Sequence, residues 1–215
     1  IPVQGPLSIG IFPNADLLPE TGWTSEIAYR RTLNFGAWNF YADIAFFWME
    51  YKNMIEFALD NYPQGFGFSF VNVSEARIAG WEISAKSAGK IGKIPLRIWG
   101  GYTYSCPADL SEPSGVMKDA GNYIGFLFKT FFNGLNRNTD INYVLKYRNL
   151  HTFRMDLETE VLGITIGTAV NYTSFMQRID LIFDFDFISK GVSTYRSNHT
   201  AGYWTWDIRL GYNIN

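Results

Sequence analysis

Cysteine occurs once, at Cys106, and histidine twice, at His151 and His199. A single thiol excludes an intramolecular disulfide framework and a multi-cysteine zinc site. With no basic neighbour to activate it, Cys106 reads as a small residue at a strand end. The two histidines lie far apart and fit no ligand spacing. No metal and no cofactor is therefore expected. Long apolar runs are missing too, since nothing approaches the roughly 18 uninterrupted apolar residues of a membrane-spanning helix. An excess of one charge is also absent: 18 basic side chains face 20 acidic ones, for a net charge of −2. That balance argues against nucleic acid as a partner, which would call for a basic face. Charged residues make up 18% and hydrophobic ones 47%, so a disordered chain is excluded as well. The opening Ile1-Pro2-Val3-Gln4 carries no initiator Met and no basic-then-apolar leader, and the expectation is that sequence is missing upstream.

What the chain has in quantity is aromatic side chains, with 18 Phe, 13 Tyr and 7 Trp beside 20 Gly. Their positions repeat with period two. From Trp38 to Trp48 the even positions are Trp38, Phe40, Ala42, Ile44, Phe46 and Trp48, while the odd ones include Asn39, Tyr41, Asp43 and Ala45. This alternation runs about twice the usual length of a soluble strand. At about 3.3 Å per residue and a tilt of about 40°, it covers roughly 25 Å, the height of an outer-membrane apolar band. Trp38 and Trp48 then fall at the two interfaces, as girdle residues.

The pattern recurs around Trp23–Tyr29, Ala79–Ala85 and Ile94–Tyr104, then at His151–Thr159, Leu162–Tyr172 and Trp204–Tyr212, giving about seven amphipathic strands. In the fifth, Phe153, Met155 and Leu157 face one way, whereas Arg154, Asp156, Glu158 and Glu160 face the other. Four successive charges on one face are costly in a dry core and at home against water. The opposite faces are too continuously apolar for the outside of a soluble protein. The expected fold is therefore all-β: an antiparallel transmembrane β-barrel, apolar outside and polar inside, with Trp204 and Trp206 as further girdle residues.

Short connections at 31–36, 88–93 and 160–162 alternate with longer ones at 60–65, 107–148 and 177–201. That asymmetry predicts periplasmic turns on one side and long extracellular loops at 107–148 and 177–201 on the other. The stretch 107–148 contains Phe126-Leu127-Phe128 and Phe131-Phe132, too apolar for a tether; it either packs as a structured loop or extends the strands above the membrane. Residues 1–21 read as an extracellular lead-in.

Three segments carry a family resemblance. Asn14-Ala15-Asp16-Leu17-Leu18-Pro19-Glu20-Thr21 is similar to the NPxLKPE(T) segment of TonB-dependent outer-membrane receptors, with Ala15 where Pro is usual and Leu18 where Lys is usual. Asn72-Val73-Ser74-Glu75-Ala76-Arg77-Ile78-Ala79-Gly80-Trp81-Glu82 resembles their NVxxAxxxGxE signature. Between them, Phe46–Ile55 is similar to the family's FYNDYKDLI-like strand. The resemblance implies the C-terminal part of a 22-stranded barrel that a plug domain, absent from this chain, would fill. It also implies uptake of a scarce extracellular nutrient (an iron-siderophore, haem, cobalamin or a glycan), driven by the TonB–ExbB–ExbD system through that plug. The implied partners are outer-membrane lipids, the nutrient and a surface lipoprotein, and the implied location is the bacterial outer membrane.

Pro19, Glu20, Asn72, Val73, Ala76, Gly80 and Glu82 are expected to serve architecture. At Gly80 a missing side chain allows a plug or a neighbouring backbone to come close. Asp180, Asp184 and Asp186 fall in a predicted extracellular loop, where carboxylates could meet a cation or a basic substrate. No nucleophile lies beside an activating base, so no catalytic residue is assigned and an enzyme is not expected. A receptor-like barrel serving as a structural or docking subunit of an envelope complex is the alternative reading.

Overall fold

The computed structural model describes residues 10–111, 113–135, 140–180, 183 and 189–212, with Val73 and Ser74 as backbone. They form one antiparallel meander: β2 (Thr21–Phe35), β3 (Trp38–Tyr62), β4 (Gly65–Ile91), β5 (Ile94–Asp109), β6 (His151–Val161), β7 (Ile164–Thr173) and β8 (Tyr203–Tyr212) pair in chain order. A short β1 (Gly10–Phe12) adds in parallel against β4. The edge strands β2 and β8 do not pair with each other, so the sheet is an unclosed wall of a barrel.

The register holds the two faces apart across the whole wall. One row runs Tyr29, Ile44, Ile83, Tyr102, Phe153, Tyr172 and Trp204. The next residue along each strand belongs to the opposite face, in the row Arg30, Asp43, Ser84, Gly101, Arg154, Asn171 and Thr205. Because side chains alternate with period two, one correct register sorts every row at once. On the inner strands β3 and β4, Phe46 is 57% and Ile83 43% exposed on the apolar face, the pattern of a transmembrane barrel's outer side.

At one end β2–β3, β4–β5 and β6–β7 are joined by tight turns at 36–37, 92–93 and 162–163. Leu162 and Gly163 both have positive φ, at 53° and 77°, which matches the right-handed twist of the flanking strands. The other end departs from expectation at 60–65. No loop lies there: β3 and β4 run on past the apolar band, 25 and 27 residues long, and close in a turn at Pro63–Gln64. From Met49 to Tyr62 the hairpin extends by ~45 Å of contour at ~3.3 Å per residue. The aromatic pairs Phe57–Phe68 (4.8 Å) and Phe57–Phe70 (5.1 Å) stabilise it as cross-strand contacts.

The connection after β5 is a structured loop built on helix α1 (Ala120–Asn133). Asp119 caps its start by accepting from the Asn122 amide at 2.8 Å, and Gly134 ends it at φ 72°. Tyr123, Phe126 and Leu127 bury themselves on Ala79, Tyr104, Cys106 and Ala108, which belong to the apolar face of the sheet. The Tyr123 hydroxyl donates to the Cys106 carbonyl (2.5 Å) and accepts from the Ala79 amide (2.7 Å). A second, seven-residue helix, α2 (Val192–Asn198), lies between β7 and β8.

Candidate functional site

Two features of the wall are candidates: the junction where the three signature segments meet, and the charged face. At the junction, Asn53 sits in the left-handed region (φ 54°) and the β3–β4 pairing skips it. Before it the even residues of β3 carry the exposed apolar side chains; after it the odd residues Ile55 and Phe57 do. The freed Ile55 amide donates to the Glu20 carboxylate at 3.0 Å. The Asn72 amide group donates to the Asn53 carbonyl (2.7 Å) and the Leu18 carbonyl (2.9 Å), and its oxygen accepts from the Leu18 amide (2.8 Å). Pro19 stands between these two anchors. Ala76 is fully buried against Met54 and Leu145. The three segments, separated in sequence, thus converge on one kink of β3.

Gly80 is placed by backbone crowding. A Cβ there would lie 1.9 Å from the Tyr104 carbonyl oxygen and 3.0 Å from the Phe47 ring. Just above it, Arg77 is buried, bonded to Glu50 at 2.7 Å and to the Met117 carbonyl at 2.8 Å, with its guanidinium 5.0 Å from the Trp48 ring. A paired and hydrogen-bonded arginine of this kind ties α1 to the sheet, and removing one partner would leave a buried charge uncompensated. Trp48 is accordingly half-covered by α1, with its ring 5.3 Å from Tyr123. Trp38 stacks on Phe40, while Trp204 and Trp206 stand exposed on the apolar face of β8. Sequence reasoning missed Arg77 and Glu50; their facing positions in two signature segments were the available signal.

The charged face is a lattice of paired charges. Arg30 binds Asp43, Arg97 binds Glu158 at 2.8 Å, and Arg209 reaches both Asp156 oxygens at 2.8 and 2.9 Å. Arg154 lies 5.6 Å from the Trp99 ring centre, and Glu82 sits beside Thr103 at 3.5 Å. Such pairs on a wet surface contribute little to stability; they leave a neutralised, hydrogen-bonding lining. Among the described residues no group of His, Cys, Asp and Glu is placed to hold a metal. The His151 ring is occupied by the Tyr102 hydroxyl at 2.7 Å, and His199 stacks on Tyr195.

Of the three loop carboxylates, Asp180 is buried and held by Lys146 and by the Tyr147 hydroxyl at 2.7 Å. Asp184 and Asp186 lie outside the described residues. Next to this cluster Glu56, on the extended part of β3, has a buried Oε1 with no hydrogen-bond partner among the described residues. Burial pushes its carboxyl above the usual range, against the attraction of Lys146. A carboxyl raised on folding contributes stability at low pH that is lost as pH rises through its folded value. Glu56→Gln in the full-length receptor should therefore raise the thermal midpoint in detergent at pH 7 and leave it unchanged at pH 4; equal shifts at both would exclude desolvation as the cause.

A model of the family described as "TonB dependent receptor-like, beta-barrel" matches residues 3–215. The chain belongs to the TonB-dependent receptor family. Members are outer-membrane transport receptors of Gram-negative bacteria and not enzymes. Among solved structures, one similar chain is the FrpB iron transporter from Neisseria meningitidis (F3-3 variant), at 15% identity and a TM-score of 0.48. The match covers 94% of this chain and 26% of that one, so the present chain spans about a quarter of the transporter's length. No curated protein matches.

Proposed function

We propose that this chain is a stretch of barrel wall from an outer-membrane active-transport receptor that takes up a scarce nutrient such as an iron-siderophore, haem, cobalamin or a glycan, with energy delivered by TonB–ExbB–ExbD through a plug. The observation that carries this reading is the lattice of Arg30–Asp43, Arg97–Glu158 and Arg209–Asp156 on one face of the sheet. A closed structural barrel could fill its interior with apolar side chains, as small barrels do. A wall of balanced, exposed ion pairs suits an interior that stays wet and against which a polar plug can slide. In this reading the outer-membrane lipids hold the apolar face. The loops after β5 and β7 lie on the extracellular side, where a surface lipoprotein could also dock. Asp184 and Asp186 are the first candidates to meet a cationic or basic ligand, while Asp180 supports the loop through Lys146 and Tyr147.

The test is uptake in cells lacking the gene, with labelled iron chelates, haem, cobalamin and glycans supplied separately at limiting concentration. Loss of uptake of one class, restored by the full-length gene but not by a copy lacking its plug, is the expected result. Undiminished uptake of every class would sink the transport reading.

A further inference from the structure

Helix α1 carries more apolar surface than the sheet can cover. With 3.6 residues per turn its side chains sort into three faces. Tyr123, Phe126, Leu127 and Thr130 are buried against β4 and β5. Asn122, Lys129 and Asn133 form a polar face, with Lys129 paired to Asp140 at 2.8 Å. Ile124, Phe128 and Phe132, each four residues after the last, form a third face and are 43%, 49% and 73% exposed. A helix on a water-covered surface shows two faces; a third, apolar one indicates a second apolar contact.

The stripe is continuous with the lipid-facing side of the sheet. Phe46, exposed on that face, lies 6.5 Å from Trp81; Trp81 lies 6.1 Å from Phe128; and Phe128 lies 6.4 Å from Phe132. One chain of rings thus passes from the outside of the barrel onto the helix. Phe131, beside the stripe, closes on Trp81 at 4.5 Å and on Tyr104 at 5.0 Å, so the apolar side of α1 points toward the membrane band and the Asn122–Lys129–Asn133 side away from it. The helix meets the sheet at the level of Trp48 and Trp81, where the apolar alternation that starts at the tight turns ends and below the part of β3 and β4 that runs on to Tyr62 and Gly65.

We propose that α1 is an interfacial membrane helix: it lies on the outer leaflet, with Ile124, Phe128 and Phe132 set into the boundary between headgroups and acyl chains. Its polar face meets water, and the buried face of Tyr123, Phe126, Leu127 and Thr130 holds it to the barrel. The role follows from the general behaviour of helices with one apolar and one polar side, which lie in the interface plane with the apolar side sunk about 5–10 Å. The same contact ties the long loop after β5 to the membrane surface and so fixes its height at the barrel mouth.

The experiment uses the full-length receptor in proteoliposomes. Single cysteines replace Ile124, Phe128, Phe132, Asn133 and Ile44 in turn, each bearing a nitroxide; Cys106 is fully buried and stays unlabelled. Heat-modifiable electrophoretic mobility confirms that each variant is folded. Collision with dissolved oxygen and with a water-soluble nickel chelate then reports depth. Labels at 124, 128 and 132 are expected to favour oxygen severalfold over the label at 133. Nickel-favoured collisions at the stripe would overturn the proposal, leaving the helix in water. So would shielding from both reagents, which would assign the stripe to a protein partner. The label at 44 keeps this separate from the reading of the chain as a membrane wall: water-like behaviour there would overturn that reading, whereas failure confined to α1 overturns only the interfacial helix.

Discussion

Gly80→Ala in the full-length receptor is expected to remove most of the folded barrel from the outer membrane, while Gly100→Ala is expected to leave it intact. The two glycines lie in neighbouring strands of the same wall, but their surroundings differ. A methyl group on Gly80 would meet the Tyr104 carbonyl oxygen at 1.9 Å, whereas on Gly100 its nearest atom would be the Arg154 carbonyl oxygen at 3.8 Å. A side chain in the way can rotate; a carbonyl held in a sheet cannot, so relief requires β4 and β5 to separate. They separate at the point where the Tyr123 hydroxyl bonds both strands, which would loosen α1 as well. Added volume in a packed site costs about 1–3 kcal/mol, and the rigid obstacle places this case at or above the upper end. The folded fraction, read as heat-modifiable mobility in isolated outer membranes, checks it. A wild-type fraction for Gly80→Ala would show that the close approach is not required.

A second large effect is a gradient of charge tolerance along β3. Ile44 lies in the middle of the apolar row between Tyr29 and Ile83, while Trp38 is the first residue after the 36–37 turn. Arginine should cost ~2–4 kcal/mol at Ile44 and ~0–1 kcal/mol at Trp38, since the penalty falls from the bilayer midplane toward the interface. Trp38 also covers Gly89, whose added Cβ would sit 2.2 Å from the indole, and an arginine stem can cover the same spot with its charge in the headgroups. Urea titration of folding into lipid vesicles measures both. Equal losses would reject the register that puts Ile44 at mid-membrane.

These expectations rest on features of unequal legibility. The period of two in Trp38–Trp48 and His151–Glu160 was sufficient to separate the apolar face from the charged face, because in a one-layer wall side chains alternate between two surroundings. The same logic put short connections at 31–36, 88–93 and 160–162, close to the turns, although β2 runs on to Phe35 and β4 to Ile91. It failed above the band, where β3 and β4 continue to Tyr62 and Gly65. There the alternation inverts at Asn53, and a search for one continuous period stops at that point. Helix α1 was also missed, although Asp119 before it and Gly134 after it are ordinary start and stop residues. Its run of phenylalanines reads as equally apolar at period two and at 3.6, since the helix is apolar on two of its three faces.

The signature residues show the other limit. That Pro19, Glu20, Asn72 and Gly80 belong together was legible as a family pattern, and so was a close approach of backbone or plug at Gly80, but the partners of Glu20 and Asn72 were not. Glu20 completes the hydrogen bonding of an amide 35 residues away, and Asn72 joins Leu18 to Asn53. Such bonds depend on which strands are neighbours, and that follows only once the chain has closed its hairpins. From sequence alone came the sheet and its two faces, because those are set residue by residue by the alternation of apolar and polar side chains. Tertiary structure decided the kink at Asn53, the crowding over Gly80, the pairing of lumen charges and the seat of α1, because each of these is a contact between segments that sequence distance does not reveal.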